Sequence, residues 1–597
     1  MCGIAGIQVS GDAKISVQVL KRFEDSMLHR GPDAQTHEII DSTGLAVTRL
    51  SVVDLAHGDQ PLISRDGVHL IANGEIYNSP ILRKRFSDYP FATQSDCEPI
   101  LPLFEEHDLR FADHLRGMYA VALVDPRTGR LVLSRDPFGI KPLYYVEGPD
   151  CFVFASEIAT LLEAGFAERA VDDFARAELL QTKYVFGTKT IIPKIQRLNP
   201  GDTIVVEGGR IREGRGCKTW PPQAERNRPS APSLRRSRSA LLTEFGDVIR
   251  DSVAAHLQAD VPWRMFYSGG LDSTILMLAA KEVSKSPPQA ITIGYDVHSS
   301  DDESLGAVGL AHEMKLDCQR IEMTRADFWR LTPRIVAKVD DPVADPAVLP
   351  LYMLGRETGV QGAKMAICGE GADEIFGGYS RYKRATWPAA LRRYSRRRGV
   401  FTRSAVSMDR FAGWSRSLDM LEEEQSKLWR SRLKVLQAVD MLERLPNCLL
   451  IKLDRALMAN SIEGRTPFLD REVVEFASRL PDRLVANPWH GKLLLRAWVS
   501  KVFPEAEPYA RKRGFNVPIE RWMHAGRREL GLMVAAQPGI ASVFGKAEVC
   551  EFFERCLQHT QETWSLLFYA LWHSHHILKV NSEDDIETVL REAARRG

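Results

Sequence analysis

Cys2 follows the initiator methionine directly. Once Met1 is removed, this residue carries a thiol and a free α-amine side by side. Such an amine titrates at about 7.7–8.0, so a fraction is neutral near physiological pH and can take the thiol proton. The sulfur can then attack a carboxamide carbon without a histidine partner. Gly3 and Gly6 let other backbone come close to this end. A second chemical cluster lies far downstream, where the apolar run Met265-Phe266-Tyr267 leads into Ser268-Gly269-Gly270-Leu271-Asp272-Ser273. A strand, a glycine turn and a helix start aim several backbone N–H groups and a positive dipole end at one anion. No Gly-Lys-Ser/Thr follows, so this is not the Walker phosphate loop. Another apolar run, Met365–Cys368, ends at Gly369-Glu370-Gly371-Ala372-Asp373-Glu374. Asp272 and Asp373 are the natural carboxylates for a Mg²⁺ bridging phosphates; capping a helix is the competing use of either.

These residues need two kinds of scaffold. Up to about residue 210 the pattern is short strands between turn signals: Leu45–Arg49, Val68–Ala72, Met118–Val124, Arg130–Ser134, Cys151–Ala155 and Thr203–Glu207. The Asp125–Arg130 turn predicts a hairpin. About 217–240 is rich in Pro, Arg and Ser and reads as a linker. Beyond it, helices (Leu241–Ala259, Leu271–Val283) alternate with strands (Arg264–Tyr267, Ala290–Ile293, Lys364–Cys368), the pattern of a parallel sheet. From about residue 380 the chain reads as mostly helical. Ligands of open α/β sheets sit beyond the carboxyl ends of the strands, so the turns after 267, 293 and 368 should converge on one nucleotide.

The order of motifs carries a resemblance. Cys2–Gly6, Arg30-Gly31-Pro32-Asp33, Arg49–Asp54, Asn73–Asn78, Ser95–Glu98, Arg135–Tyr145 and Ala155-Ser156-Glu157 together resemble the glutaminase domain of class II, N-terminal nucleophile, glutamine amidotransferases. That likeness implies an oxyanion hole from Asn73 and Gly74 beside Cys2. It also implies a glutamine site of Arg49, Leu50, Ser51, Val52, Val53, Asn73, Gly74, Glu75 and Asp96. Arg49 would hold the α-carboxylate there, and Glu75 and Asp96 the α-ammonium. A tight turn is the competing use of Asn73-Gly74, and an N-cap that of Asp96. Ser268–Ser273 resembles the pyrophosphate loop of ATP pyrophosphatases. Gly369–Tyr379, Lys452–Arg455, Glu463–Asp470, Gly491–Arg496 and Lys512–Phe515 are similar to segments of the glutamine-hydrolysing asparagine synthetase family. The resemblance implies an ATP site of Phe266, Ser268, Gly269, Gly270, Leu271, Asp272, Ser273, Ile293, Cys368 and Gly369. Glu370 would assist the acyl-adenylate, Lys492 would meet the phosphates, and Mg²⁺ would sit on Asp272 and Asp373.

The expected architecture is an α+β N-terminal nucleophile glutaminase domain with antiparallel sheets over 2–215. A linker at 216–240 leads to an α/β parallel-sheet ATP pyrophosphatase (HUP-like) domain with a helical C-terminal part over 241–597. The expected reaction joins glutamine, ATP and aspartate through an adenylate. Asp340–Pro350 lies where better-known family members carry the Thr and Arg associated with aspartate, and it has no obvious counterpart of that arginine. Amidation of a different carboxylate, in a specialised-metabolite or surface-polymer pathway, is the alternative. Composition agrees with a cytoplasmic enzyme. A length of 597 residues requires more than one core, and a net charge of +1 gives no general pull on nucleic acid or membrane. Nine scattered cysteines without a C-x-x-C pair argue against a disulfide framework or cysteine zinc site. No span of bilayer length is present. The arginine-rich stretch 381–403 is a candidate RNA patch, but as a solvated surface it needs no function. A homodimer is compatible with this reading.

Overall fold

A computed structural model describes residues 2–11, 13–216, 237–297, 302–388, 399–402, 404, 414–510 and 516–596. Most of the linker, much of the arginine-rich stretch and Lys512–Phe515 lie outside the described residues.

The N-terminal strands are β1 (Cys2–Val9), β2 (Ala34–Ile40), β3 (Thr43–Arg49), β4 (Leu62–Ile63), β5 (His69–Ile76), β6 (Gly117–Asp125), β7 (Arg130–Arg135), β8 (Tyr144–Glu147), β9 (Cys151–Ala155), β10 (Gln196–Arg197), β11 (Asp202–Glu207) and β12 (Arg210–Gly216). They make two six-stranded sheets, ordered β10-β8-β9-β1-β3-β2 and β12-β11-β7-β6-β5-β4, with antiparallel pairing throughout. The expected hairpin is present, with Asp125 opposite Arg130.

Side-chain alternation explains the layering. On β1, Cys2 and Ile4 face a core shared with Ile71, Ala120, Ala122, Leu131 and Leu133 of the other sheet. Ala5, Ile7 and Val9 face the opposite way, onto Leu20, Phe23 and Met27 of helix Val17–Met27. On β5 the even positions Leu70, Ala72 and Ile76 meet helix Ile100–His107. The sheets therefore lie face to face with helices outside. The same parity puts Cys2, Asn73 and Glu75 on the faces that look into the gap between the sheets.

The second sheet system contains β13 (Trp263–Phe266), β14 (Ala290–Tyr295), β15 (Cys318–Met323), β16 (Met365–Ile367) and β17 (Glu463–Arg465). All are parallel, in the order β15-β14-β13-β16-β17. Chain order reverses between β13 and β16, and a ligand crevice opens at such a point. The predicted helix 241–259 runs over Arg238–His256 instead. Ser237 caps its start by accepting from the Ala240 amide at 3.2 Å. Past its end, the Asp260 amide donates to the Val52 carbonyl at 2.9 Å, tying this turn to the N-terminal half. The remainder is mostly helical, with Thr560–His576 buried almost all round. No described helix is long and apolar enough to cross a membrane.

Candidate functional site: two clusters joined by buried charge

Cys2 is buried at the start of β1. Its backbone nitrogen, which becomes the α-amine when Met1 is lost, donates to Asn73 Oδ1 at 3.2 Å. That bond orients the Asn73 amide and leaves Nδ2 buried with no hydrogen-bond partner among the described residues. An orphaned buried donor is costly, and its placement suits a negatively charged oxygen formed beside Cys2. Asn73 and Gly74 lie inside β5, not in a turn, because Gly74 pairs with Tyr119 of β6.

Gln60 is a neighbour that sequence reasoning missed. Its side chain accepts from the Ala72 amide at 2.6 Å and donates to the Ala72 carbonyl at 3.1 Å, and Nε2 lies 3.9 Å from Cys2 Sγ. No local pattern marks it. Burial pushes the Cys2 thiol pKa up, while the chain's amino end, a backbone hydrogen bond from Leu50 and Arg49 pull it partly back. The resting sulfur is therefore a thiol that needs a base.

Arg49 uses its fork on the loop that follows it. Nη2 donates to the carbonyls of Asp54 (2.6 Å) and Val53 (3.2 Å), and Nη1 pairs with Asp59 at 2.8 Å. The Asp59 side chain is 60% exposed, so this pair is where an incoming carboxylate can exchange. Leu50 and Val52 pack with Met458, and Val53 lies against them. The Ser51 amide donates to Asp33 at 2.7 Å. Glu75 meets Arg465 at 3.0 Å, and Arg465 also binds Glu463. Asp96 accepts from the Ile76 amide at 2.6 Å and does not cap a helix. Burial raises the pKa of Glu75 and of Asp96. Burial acts the same way on Glu463, but Arg465, the amino end and Lys141 override it and hold that carboxyl at about 2. Glu75 and Asp96 stay buried beside one another with raised pKa values, a setting in which a bound ammonium group would favour their charged forms.

The second cluster sits at the reversal point of the parallel sheet. Gly270 precedes helix Leu271–Val283 without a side-chain cap, so the first helical amides are open to an anion. Ser268 and Ser273 brace the loop, with Oγ atoms 3.2 Å apart and Ser273 donating to the Gly270 carbonyl at 3.1 Å. Gly269 has φ +70°, and a Cβ there would lie 3.0 Å from Ala307 Cα. A side chain at Gly369 would begin 3.5 Å from Asp272 Cβ, so the two loops touch. Lys492 Nζ binds both oxygens of Asp272 (2.8 and 2.6 Å) and Asp373 Oδ1 at 2.5 Å. Burial alone would lower the lysine pKa, but the two aspartates more than offset it and raise it. Lys492 holds the left-handed φ of 55°, a strained placement for a long side chain. Phe266 ends β13, Ile293 lies in β14, and the Cys368 amide donates to the Arg465 carbonyl at 2.8 Å. Glu370 is half-buried, and burial raises its pKa.

Between the clusters runs a buried ionic network. Arg30 Nε donates to the Cys2 carbonyl at 3.3 Å, and its fork holds Glu157 (2.8 Å) and Asp454 (2.8 and 3.0 Å). Arg455 binds Asp340 at 2.6 Å and Asp454 at 2.7 Å. Arg197 clasps Asp341 through two bonds of 2.7 Å. Asp340 and Asp341, in the segment expected beside the acceptor acid, are thus committed between the halves, whereas Asp345 pairs with Lys452 at 3.0 Å. In the arginine-rich stretch, Arg381 is bound to Asp440 and stacked 4.5 Å over Tyr379.

Comparison with known proteins agrees with this two-part geometry. Residues 1–217 match the family model described as a glutamine amidotransferase domain. Residues 244–574 match the one described as asparagine synthase. The chain is 28% identical to asparagine synthetase [glutamine-hydrolyzing] 1 of Bacillus subtilis, over 97% of each protein. It is 27% identical to asparagine synthetase B [glutamine-hydrolyzing] of Escherichia coli, over 86% of this chain and 82% of that one. It is 28% identical to asparagine synthetase [glutamine-hydrolyzing] 1 of Saccharomyces cerevisiae, over 85% and 82%. With more than half of its length matched by that second model and a glutaminase-type sandwich in front, the chain belongs to the asparagine synthase family.

Proposed function

We propose that this chain is a glutamine-hydrolysing asparagine synthetase. It would convert ATP, L-aspartate, L-glutamine and water into AMP, diphosphate, L-asparagine and L-glutamate, through a β-aspartyl-AMP intermediate and internally delivered ammonia. The glutaminase part is 2–215, the linker 216–240 and the synthetase part 241–597. The observation that carries the reading is Asn73 Nδ2, buried next to Cys2 without a partner among the described residues. With Met1 removed, the neutral α-amine takes the Cys2 proton and the sulfur attacks the glutamine amide. Asn73 Nδ2 and the Gly74 amide hold the oxyanion. Arg49 and the Leu50–Val53 backbone bind the α-carboxylate end, and Glu75 and Asp96 bind the ammonium.

In the other part, the Ser268–Ser273 loop holds pyrophosphate oxygens, with Phe266, Ile293, Cys368 and Gly369 around the nucleotide. Asp272 and Asp373 converge on one ammonium within 2.8 Å. Two carboxylates this close suit a Mg²⁺ completed by substrate phosphates, and the ion would neutralise phosphate charge. Lys492 stabilises charge developing on the departing pyrophosphate, and Glu370 assists formation and capture of the acyl-adenylate. All eight described cysteines are free, as suits a cytoplasmic enzyme.

Cys2→Ala is the test. Glutamine-dependent synthesis should vanish while ammonia-dependent release of pyrophosphate and AMP continues. Loss of both in a folded variant, or production of ADP and orthophosphate, contradicts the assignment.

A further inference from the structure

The acceptor acid needs its own recognition groups, and the structure narrows where they are. Helices Val348–Val360 and Ile451–Met458 precede the parallel strands β16 and β17. A helix leading into such a strand begins at the carboxyl edge of the sheet, so Asp345, just before the first of these helices, lies at the same edge as Glu370; Lys452, inside the continuous helical run 432–458, is held there by its bond to Asp345. The two helices pack on one another, and Lys452 Nζ donates to Asp345 Oδ2 at 3.0 Å. Lys452 is buried, whereas Asp345 and Glu370 remain half-buried and open to a small ligand.

Nearby cations have other work. Lys492 is held by Asp272 and Asp373, Arg381 by Asp440, and Arg444 stacks 4.6 Å from the Tyr379 ring. Burial raises the Glu370 carboxyl pKa and Lys452 pulls it back, while Lys452 and Lys183 together hold the Asp345 carboxyl below its ordinary range.

Resting on the asparagine-synthetase reading above, we propose that the Asp345–Lys452 pair is the acceptor's recognition site, taking the zwitterionic head of an α-amino acid. Lys452 would receive the α-carboxylate and Asp345 the α-ammonium, leaving the side-chain carboxylate to reach the adenylation centre beside Glu370. A neutral ion pair accepts a neutral zwitterion without stranding a buried charge. A lone cation would take any dicarboxylate. The acceptor class is therefore an acidic α-amino acid, with aspartate as the family member of that class.

The pair could instead be only a tie between helices, and a panel of acids separates the two roles. Pyrophosphate release from ATP, with ammonia as nitrogen donor, is measured for aspartate, 3-aminopropanoate (no α-carboxylate) and succinate (no ammonium). In the unaltered protein aspartate should be preferred over both. Lys452→Gln should cut the preference for aspartate over 3-aminopropanoate about 100-fold, and Lys452→Arg should keep most of it. Asp345→Asn should erode the preference over succinate in the same way. Uniform loss for all three acids in variants that melt normally, or unchanged preferences, would overturn the inference. If an acid other than aspartate drives release, or none does, the functional reading fails instead.

Discussion

Asn73 performs two tasks with one amide. Its oxygen accepts from the nitrogen of residue 2, and its Nδ2, buried without a hydrogen-bond partner among the described residues, is the proposed oxyanion donor. Asn73→Ala should lower glutamine-dependent kcat about 10²–10³-fold and spare ammonia-dependent synthesis; steady-state kinetics with each nitrogen donor decides it. Glu374 supplies a pH prediction. Burial first, and then Asp373, push its carboxyl up to about 7, although Tyr379 donates to it and pulls the other way. A raised carboxyl favours the protonated native form, so its contribution to stability is complete below the ordinary value of 4.5 and is lost as pH rises through about 7. Glu374→Gln imitates the protonated form. It should raise the melting temperature relative to the unaltered protein at pH 8, by at most about 3 kcal/mol of stability, and the gap should close near pH 5.

At the scale of elements, period-two alternation carries the proposed glutaminase site. Even positions of β1 and odd positions of β5 look into the same gap, which is how Cys2, Asn73 and Glu75 come together. The proposed pyrophosphate loop depends on one residue's backbone. Gly269→Ala must hold φ +70° and press a Cβ to 3.0 Å from Ala307. It should cost about 1–2 kcal/mol and raise KM for ATP more than KM for glutamine. Equal effects on both substrates would show that the loop is not the nucleotide's. These elements were legible in the sequence because alternation, glycine turns and helix starts are local signals. Asn73-Gly74 also fits a turn by residue type, and only pairing with β6 puts it in a strand.

Across the whole molecule, Arg30 joins the Cys2 carbonyl to Asp454, 424 residues away. Replacing one member of a buried ion pair strands the other charge. Arg30→Met should therefore cost about 3–5 kcal/mol, and adding Asp454→Leu should recover part of that loss. Chemical denaturation of the single and double variants measures the coupling.

Residue order alone determined the inventory: a cysteine able to lead the chain, an anion-binding glycine turn, and two strand regimes suited to hold them. Those follow from bonding and steric preferences spanning a few neighbours. The tertiary structure decided which charges share a partner. Asp340 and Asp341 went to Arg455 and Arg197, Asp345 to Lys452, and Glu75 to Arg465. Carboxylates only a few positions apart look alike as a string, and their fates diverge when packing removes water and each must find the cation within reach.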